Sequence, residues 1–249
     1  MTSAIILAGG LGTRLRGAVP DLPKPMAPIA GRPFLAHQMD HWIDQGVRHF
    51  VLSVGYRHEA IVEFFGDRYR EARLTYAVER TPLGTGGALL LAARELPPNE
   101  RVLLLNGDTY FDVNLDRLRV FAEQHDADWC FSLFRADQPG RYMGLQVEAD
   151  GRIAALAHND QAIGRLANGG VYLVHPRALR QTALDEGRPL SLENDLFPAW
   201  LAAGQRFYGM ACEGSFIDIG VPHDYHRAAA VLPHRADLTT GAPHLDECT

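Results

Sequence analysis

The sequence predicts an α/β domain with a mostly parallel central sheet flanked by helices. Three observations carry that prediction. Short apolar runs alternate with stretches of helical apolar spacing through the first half of the chain. Turns rich in glycine follow apolar runs directly, as at Gly9-Gly10 and Asn106-Gly107-Asp108. The 249 residues are 47% apolar and 22% charged, an ordinary globular balance within reach of one large domain. Strands that alternate with helices form βαβ units, and these stack onto a parallel sheet.

The elements follow in order. Residues 4–8 read as a buried strand. Residues 33–45 carry Phe34, Leu35, Met39, Trp42 and Ile43 at helical spacing and stop at Gly46. A strand at 49–54, a helix at 59–65 ended by Gly66, and a strand at 74–78 continue the pattern. A helix at 86–96 ends at Pro97-Pro98, and a strand at 101–105 runs into Asn106. A helix at 115–125 then precedes a strand at 128–134. The second half is less regular. Strands are expected at 145–148, 153–157 and 170–175, with Asp150-Gly151 as a hairpin turn. Helices at 176–184 and 192–203, strands at 206–210 and 216–219, and a closing helix at 222–231 complete the reading. One domain spans residues 1–232, and the polar, aperiodic tail at 233–249 is expected to fray. Parallel sheets bind ligands at the carboxyl ends of their strands. The informative loops are therefore 9–14, 79–87 and 106–110.

Composition excludes several classes of function. The formal net charge of −6 disfavours a general nucleic-acid binder. The purely apolar runs are short, as at 88–93 and 102–105, far below the ~20 residues of a membrane span. The N-terminus has no basic segment and its apolar stretch breaks at Gly9-Gly10, so no signal peptide is expected. Three cysteines, Cys130, Cys212 and Cys248, are far apart and odd in number, which fits a reducing compartment; the expected location is cytoplasmic. The histidines are scattered without metal-ligand spacing.

Chemistry concentrates first in Leu7-Ala8-Gly9-Gly10-Leu11-Gly12-Thr13-Arg14-Leu15, where three glycines and a threonine follow a strand. Glycine lets backbone amides approach a phosphate, and Arg14 can neutralise one with a forked contact. The run lacks the G-K-[ST] ending of a P-loop, and Leu15 stands where G-x-G-x-x-G needs its third glycine. A tight strand-to-helix turn is the plain alternative. Lys24 adds weight to the phosphate reading. It is the single lysine among 24 basic residues, held in Pro23-Lys24-Pro25, where two prolines limit the backbone. A compact ammonium is a point charge, unlike the planar fork of arginine.

Gly-Gly-x-Gly-Thr-Arg-Leu at 9–15 followed by Pro23-Lys24-Pro25-Met26 resembles the signature of the sugar-1-phosphate nucleotidyltransferases. Those enzymes join a nucleoside triphosphate to a sugar 1-phosphate and release pyrophosphate. The match continues in order. Leu83-Gly84-Thr85-Gly86-Gly87-Ala88 resembles the base-binding loop, Asn106-Gly107-Asp108 the metal-binding segment, and Asn168-Gly169-Gly170-Val171-Tyr172 the sugar-side strand. Ser191-Leu192-Glu193 and Ile217-Asp218-Ile219-Gly220 resemble later sugar and metal elements. The resemblance covers roughly residues 3–230 and implies a Rossmann-like domain with a smaller sugar-binding β subregion.

The resemblance also assigns roles. Arg14, Lys24 and Asp108 would be catalytic. Leu7, Ala8, Gly9, Gly10, Gly12, Thr13, Arg14, Glu79, Leu83, Gly84, Thr85, Asn106 and Gly107 would hold the nucleotide. Gly144, Asn168 and Glu193 would face the sugar, and Asp108 and Asp218 would hold Mg²⁺. The chemistry has matching needs: an in-line displacement at the α-phosphorus brings two polyanions together and requires positioning and cations rather than a covalent intermediate. Mg²⁺ prefers carboxylates with phosphate oxygens and water. Plainer readings stand beside these. Asp108 can be a turn residue, and Glu193 a favourable charge at a helix start. Asp218, between two isoleucines, needs a partner or a metal.

Guanine presents N1–H and an exocyclic amine, which call for acceptors. Glu79 or backbone carbonyls near Leu83 would supply them, which favours GTP over UTP; a surface ion pair of Glu79 with Arg80 or Arg73 is the competing reading. The stretches 21–35, 53–56, 65–69, 82–88 and 106–112 are similar to the D-glycero-D-manno-heptose 1-phosphate guanylyltransferases, implying GMP transfer from GTP to the heptose 1-phosphate. Mannose 1-phosphate with GTP, or an N-acetylhexosamine 1-phosphate with UTP, are the alternative substrates. A non-catalytic nucleotide-sugar-binding regulatory module is the rival from another class. The resemblance also allows a homo-oligomer. Two departures stand out on the sugar side. A Glu-Lys pair usual in the wider family is replaced by His158-Asn159, and a later one by Glu193-Asn194. Arg141 and Arg165 are the candidates to supply the missing charge.

Overall fold

The computed structural model describes residues 3–10, 12, 15, 19, 22–136, 141–157, 165–180, 182 and 188–233. The chain opens with β1 (Ser3–Leu7), followed by a 3₁₀ turn at Lys24–Met26 and a small hairpin of β2 (Pro28–Ile29) and β3 (Arg32–Pro33). Then come α1 (Phe34–Asp44), β4 (His49–Val54), α2 (His58–Phe65), β5 (Arg68–Tyr69), β6 (Ala72–Val78), α3 (Gly84–Ala93) and β7 (Val102–Asn106). A short β8 (Thr109–Phe111) leads to α4 (Leu115–Gln124), β9 (Trp129–Arg135), β10 (Gly144–Val147), β11 (Ile153–Ala157) and β12 (Leu166–Val174). The chain closes with α5 (Phe197–Ala202), β13 (Phe207–Ala211), β14 (Phe216–Asp218) and α6 (Pro222–Val231).

Ten strands form one mixed sheet in the order β11-β10-β12-β7-β1-β4-β6-β5, with β9 beside β12 and β13 beside β9. The β7-β1-β4-β6 half is parallel, as the alternation of strands and helices predicts. Beyond β7 the pairing becomes mixed, antiparallel through β12 and parallel again where β13 joins β9. Strand β12 runs back antiparallel along β7, pairing Val171 with Leu105. Strands β10 and β11 form a hairpin whose turn holds Gly151 at φ +88°, on the expected Asp150-Gly151 pair. The antiparallel extension forms the smaller β subregion.

Strand β1 is apolar on both faces and is covered on both. On one side Leu35, Met39, Trp42 and Ile43 of α1 pack with Leu115 and Leu118 of α4 against Ala4, Ile6, Leu52 and Leu105. On the other, Leu89, Leu90, Phe197 and Trp200 cover Ile5, Val51, Leu104 and Trp129. A third, smaller cluster joins Ala27, Ile29 and Phe34 to Tyr110, Ile217, Ile219 and Ala228. That cluster supports the Lys24 turn and the β8–β14 pair, so it sets the frame of the site.

Several element boundaries differ from the sequence reading. Helix α3 starts at Gly84, inside the expected loop, because Gly86 N–H reaches the carbonyl of Leu190 at 2.8 Å and ties the first turn down. The helix expected at 192–203 begins as a π turn over Leu192–Leu196, capped by the Ser191 hydroxyl, before α5. The helix expected at 176–184 is a 3₁₀ turn at Pro176–Leu179, and most of the residues after Arg180 in that stretch lie outside the described residues. Strand β12 begins four residues before the expected 170–175 and slips register between Asn168 and Tyr172. The tail beyond residue 233 also lies outside the described residues.

Candidate active site

The parallel strands deliver their carboxyl ends to one edge, and a cleft of about 1220 Å³ lies there. Leu7, Ala8, Gly9, Gly10, Lys24, Glu79, Gly84, Thr85, Asn106, Gly107, Asp108 and Glu193 line it, so twelve of the residues singled out by sequence share one surface. Thr13 and Arg14 lie outside the described residues. Gly12 does not line the cleft, and a methyl group on it would meet Lys24 Cβ at 3.1 Å.

Strand register builds the floor. Leu7 pairs with Asn106 in β7, and Gly107 N–H donates to the Leu7 carbonyl at 3.1 Å, which brings the glycine turn and the Asp108 turn side by side. Lys24 is presented by its 3₁₀ turn, with Pro23 extended before it at φ −65° and ψ 145°. Its ammonium pairs with the Asp108 carboxylate. Asp218 arrives from the other side at the end of β14, whose pairing with β8 sets it opposite Thr109. Gly220 N–H donates to Asp218 Oδ1 at 2.6 Å. A methyl group on Gly220 would lie 2.7 Å from Asp218 Oδ1 and 2.9 Å from Lys24 Nζ. The lone ammonium and both carboxylates thus converge on one spot.

Asp218 also borders a second cavity of about 420 Å³ that shares Arg141 and Tyr142 with the main cleft. Burial, and next the charge of Asp108, push the Asp218 carboxyl above the usual carboxylate range; Lys24, the Gly220 amide and Arg141 pull the other way. Arg141 pairs with Asp224 of α6 and lies 3.7 Å from Asp218 Oδ2. Among the described residues no three His, Cys, Asp or Glu side chains come together. A pair of mutually repelling carboxylates, Asp108 on the large cleft and Asp218 on the cavity beside it, fits a divalent ion that takes its remaining ligands from phosphate and water.

On the base side, Glu79 follows β6 and faces Gly9 closely: a methyl group there would fall 2.3 Å from Glu79 Oε1. Leu83 N–H donates to Glu79 Oε2 at 3.0 Å, and the Ser53 hydroxyl to Oε1 at 3.4 Å. Burial pushes the Glu79 carboxyl up, and those two donors oppose it. Arg80 and Arg73 form no ion pair with Glu79 among the described residues, so the surface-pair reading of Glu79 is set aside. Leu83 differs from expectation. It is buried, it does not line the cleft, and its carbonyl accepts Leu190 N–H at 2.8 Å, while Arg80, Thr81 and Pro82 just before it do line the cleft beside Glu79.

Glu193 joins the two sides of the site. Its Oε2 accepts from the Thr85 hydroxyl at 3.0 Å, and Leu192 N–H donates to Thr85 Oγ1 at 2.8 Å. Asn168 does not line the cleft; its amide donates to the buried Tyr172 hydroxyl at 2.6 Å and its carbonyl oxygen accepts Gly170 N–H at 3.1 Å, so it shapes the slip in β12. Gly144 is buried in β10 between its partner strands, while its neighbour Met143 lines the cleft. Arg141 lines the cleft and Arg165 does not. His158 and Asn159 lie outside the described residues. Sequence reasoning missed Gly55 and Tyr56, which line the cleft after β4. The rule about strand ends names that loop too, since residues 49–54 already read as a strand.

A model of the nucleotidyl transferase family matches residues 3–235. The chain belongs to the nucleotidyl transferase family. Members of this family generally use a divalent metal ion. A D-glycero-alpha-D-manno-heptose 1-phosphate guanylyltransferase of Aneurinibacillus thermoaerophilus is 38% identical over 231 residues, covering 93% of this chain and 98% of that protein. An enzyme of the same name from Campylobacter jejuni is 35% identical over 225 residues, covering 90% and 96%. A mannose-1-phosphate guanylyltransferase catalytic subunit beta of Danio rerio is 35% identical, but the match takes in 62% of that protein. HddC from Yersinia pseudotuberculosis, solved in complex with GMP-PN, superposes with a TM-score of 0.80 at 30% identity, covering 92% of this chain and 99% of that one. No helix among the described residues is long and apolar enough to cross a membrane.

Proposed function

We propose that the chain transfers GMP from GTP to D-glycero-α-D-manno-heptose 1-phosphate, releasing pyrophosphate and GDP-heptose. The observation that carries this reading is the convergence of Lys24 and Asp108, at the floor of a cleft walled by the strand-end glycines, with Asp218 of the adjoining cavity. The near-full-length relatives named for this activity support the choice of substrates over mannose 1-phosphate, whose relatives match over a smaller share of their length. Half-buried Glu79, fixed by Leu83 and Ser53, supports guanine, because an ionised carboxylate accepts from N1–H and the exocyclic amine together.

Each group in the cleft answers a need of the reaction. Backbone amides after β1 approach the triphosphate without side chains in the way. Lys24, released from Asp108, bridges the nucleotide and sugar phosphates and offsets their repulsion. Asp108 and Asp218 are the residues that would hold Mg²⁺, which supplies charge neutralisation on phosphate oxygens in this class of displacement. Glu193, bonded to Thr85, places the sugar relative to the base loop. Arg141, beside Asp218 and in the wall of the cleft, takes over charge that the wider family supplies with lysine. Arg14 is assigned to the triphosphate on its place in the glycine motif. Incubating the protein with GTP or UTP and a panel of heptose, mannose and N-acetylhexosamine 1-phosphates, and following pyrophosphate, tests the reading. Turnover highest with GTP and the heptose phosphate is the expected result. A preference for UTP, or nucleotide-sugar binding without any pyrophosphate release, overturns it.

A further inference from the structure

A buried glutamine grips the turn that carries Asp108. Gln38 lies in the middle of α1, 2% exposed, far from any surface role. Its Nε2 donates to the Asn106 carbonyl at 2.7 Å and to the Thr109 carbonyl at 2.8 Å. Those two carbonyls bracket Gly107-Asp108, so one side-chain amide clamps the turn at both ends. The arrangement is specific to an amide: two N–H groups on one nitrogen meet two acceptors, and no other uncharged side chain offers that pair from this position. Gln38 Oε1, Asn106 Oδ1 and Thr109 Oγ1 are buried here without hydrogen-bond partners among the described residues. Such a polar set is costly inside a core and is not what core packing alone selects.

The clamp reaches both carboxylates. Asp108 rides on the turn itself. The Asp108 carbonyl accepts Ile219 N–H at 2.9 Å, and Thr109 is the register partner of Asp218. Moving the turn therefore moves Asp108 and shifts the anchor of Asp218 with it. We propose that Gln38 is a positioning residue for the Asp108–Asp218 pair, setting the spacing at which the two carboxylates take a divalent ion. The inference rests on the reading of that pair as metal-holding.

The test compares four full-length variants for Mn²⁺ binding, followed by the spin-resonance signal of the free ion, and for kcat and KM. Gln38→Met and Gln38→Glu remove the N–H pair at similar size. Gln45→Met is the control, since Gln45 caps the C-terminus of the same helix and ties it to the segment after β8 through Val113 O at 3.0 Å and Leu115 N at 2.7 Å, away from the turn. Asp108→Asn tests the metal reading itself. Loss of an outer partner of a metal ligand weakens binding by about tenfold or more. The expected result is that loss of Mn²⁺ affinity in both Gln38 variants, with kcat falling in parallel and the KM for GTP unchanged, while Gln45→Met loses thermal stability but keeps Mn²⁺ affinity. If Gln38→Met fails to fold, Gln38→Glu decides. Wild-type Mn²⁺ affinity in folded Gln38 variants, or an equal loss in Gln45→Met, overturns the inference while Asp108→Asn still abolishes binding. Wild-type Mn²⁺ binding by Asp108→Asn overturns the metal reading and the inference together.

Discussion

Replacing Gly9 with alanine separates the base wall of the cleft from its phosphate floor. The new methyl group would lie 2.3 Å from Glu79 Oε1 and 3.2 Å from its carboxyl carbon, with the backbone nitrogen of Gly55 next at 3.4 Å. The nearest atom is the end of a side chain, so the carboxylate swings away and the fold survives. The swing breaks the 3.0 Å bond from Leu83 N–H and takes the acceptor off the base. A hydrogen bond to a charged group contributes about 1.5–3 kcal/mol, which is roughly 10- to 100-fold in binding. The KM for GTP should rise by about that factor, with kcat much less affected, and the lost Leu83 N–H bond should lower thermal stability as well. Steady-state kinetics of Gly9→Ala, Glu79→Ala and the double variant provide the assay. Once Glu79 is truncated the methyl group has nothing to displace, so the second substitution should add little. An unchanged KM in Gly9→Ala, or penalties that add in full, would place Gly9 against a phosphate instead of the base wall.

Three further outcomes follow from the same geometry. Because burial raises the Glu79 carboxyl, it takes up its proton at a higher pH than a free glutamate does, and the acceptor is lost as pH falls through that raised value. The KM for GTP should therefore climb on mild acidification in the wild type and stay flat in Glu79→Gln across the same range. Arg141→Ala should raise the KM for the sugar 1-phosphate by about tenfold or more through loss of a charged contact, whereas Arg165→Ala, away from the cleft, should leave it unchanged. Phe216 stacks on Phe134 with ring centroids 3.9 Å apart and meets Phe111 edge-on at 5.5 Å, anchoring the strand that carries Asp218. Phe216→Ala should cost about 2 kcal/mol, or roughly 4–8 °C in Tm, and lower kcat with it.

Much of the parallel half was legible because its signals are long and redundant. The strand expected at 49–54 matches β4, and the strand expected at 101–105 is displaced from β7 by one residue. Apolar runs covered on both faces announce themselves, and so do the glycines at their ends. Part of the cleft is legible through those strand ends, since Gly9, Glu79 and Asp108 each follow an apolar run by one to three positions, while Lys24 is marked by its two prolines and Glu193 by the family resemblance. The β8–β14 pair was only half visible. Three residues are too few for a period of two to show, so Asp218 could be named but its position opposite Thr109 could not. By apolar pattern strand β12 reads short, because Asn168-Gly169-Gly170 precedes the apolar run, while in the fold these residues are a slip within a continuous strand. Leu83 shows a different limit. It sits in the expected loop, and only the approach of Leu190 from a hundred residues away determines that it is buried behind the cleft. Gln38 carried no signal at all, because a single glutamine in an amphipathic helix reads as solvent-facing until the turn it clamps is placed beneath it.

The proposed reaction depends on one ammonium and two carboxylates, Lys24, Asp108 and Asp218, that bring two anions together. Pyrophosphate release by Lys24→Ala, measured at saturating GTP and heptose 1-phosphate beside the wild type, tests it most directly. Removing a preorganised charge of this kind costs about 10²–10³-fold in kcat, and a loss of that size in a protein with unchanged melting behaviour is the predicted result. Turnover within a few-fold of the wild type would contradict the account.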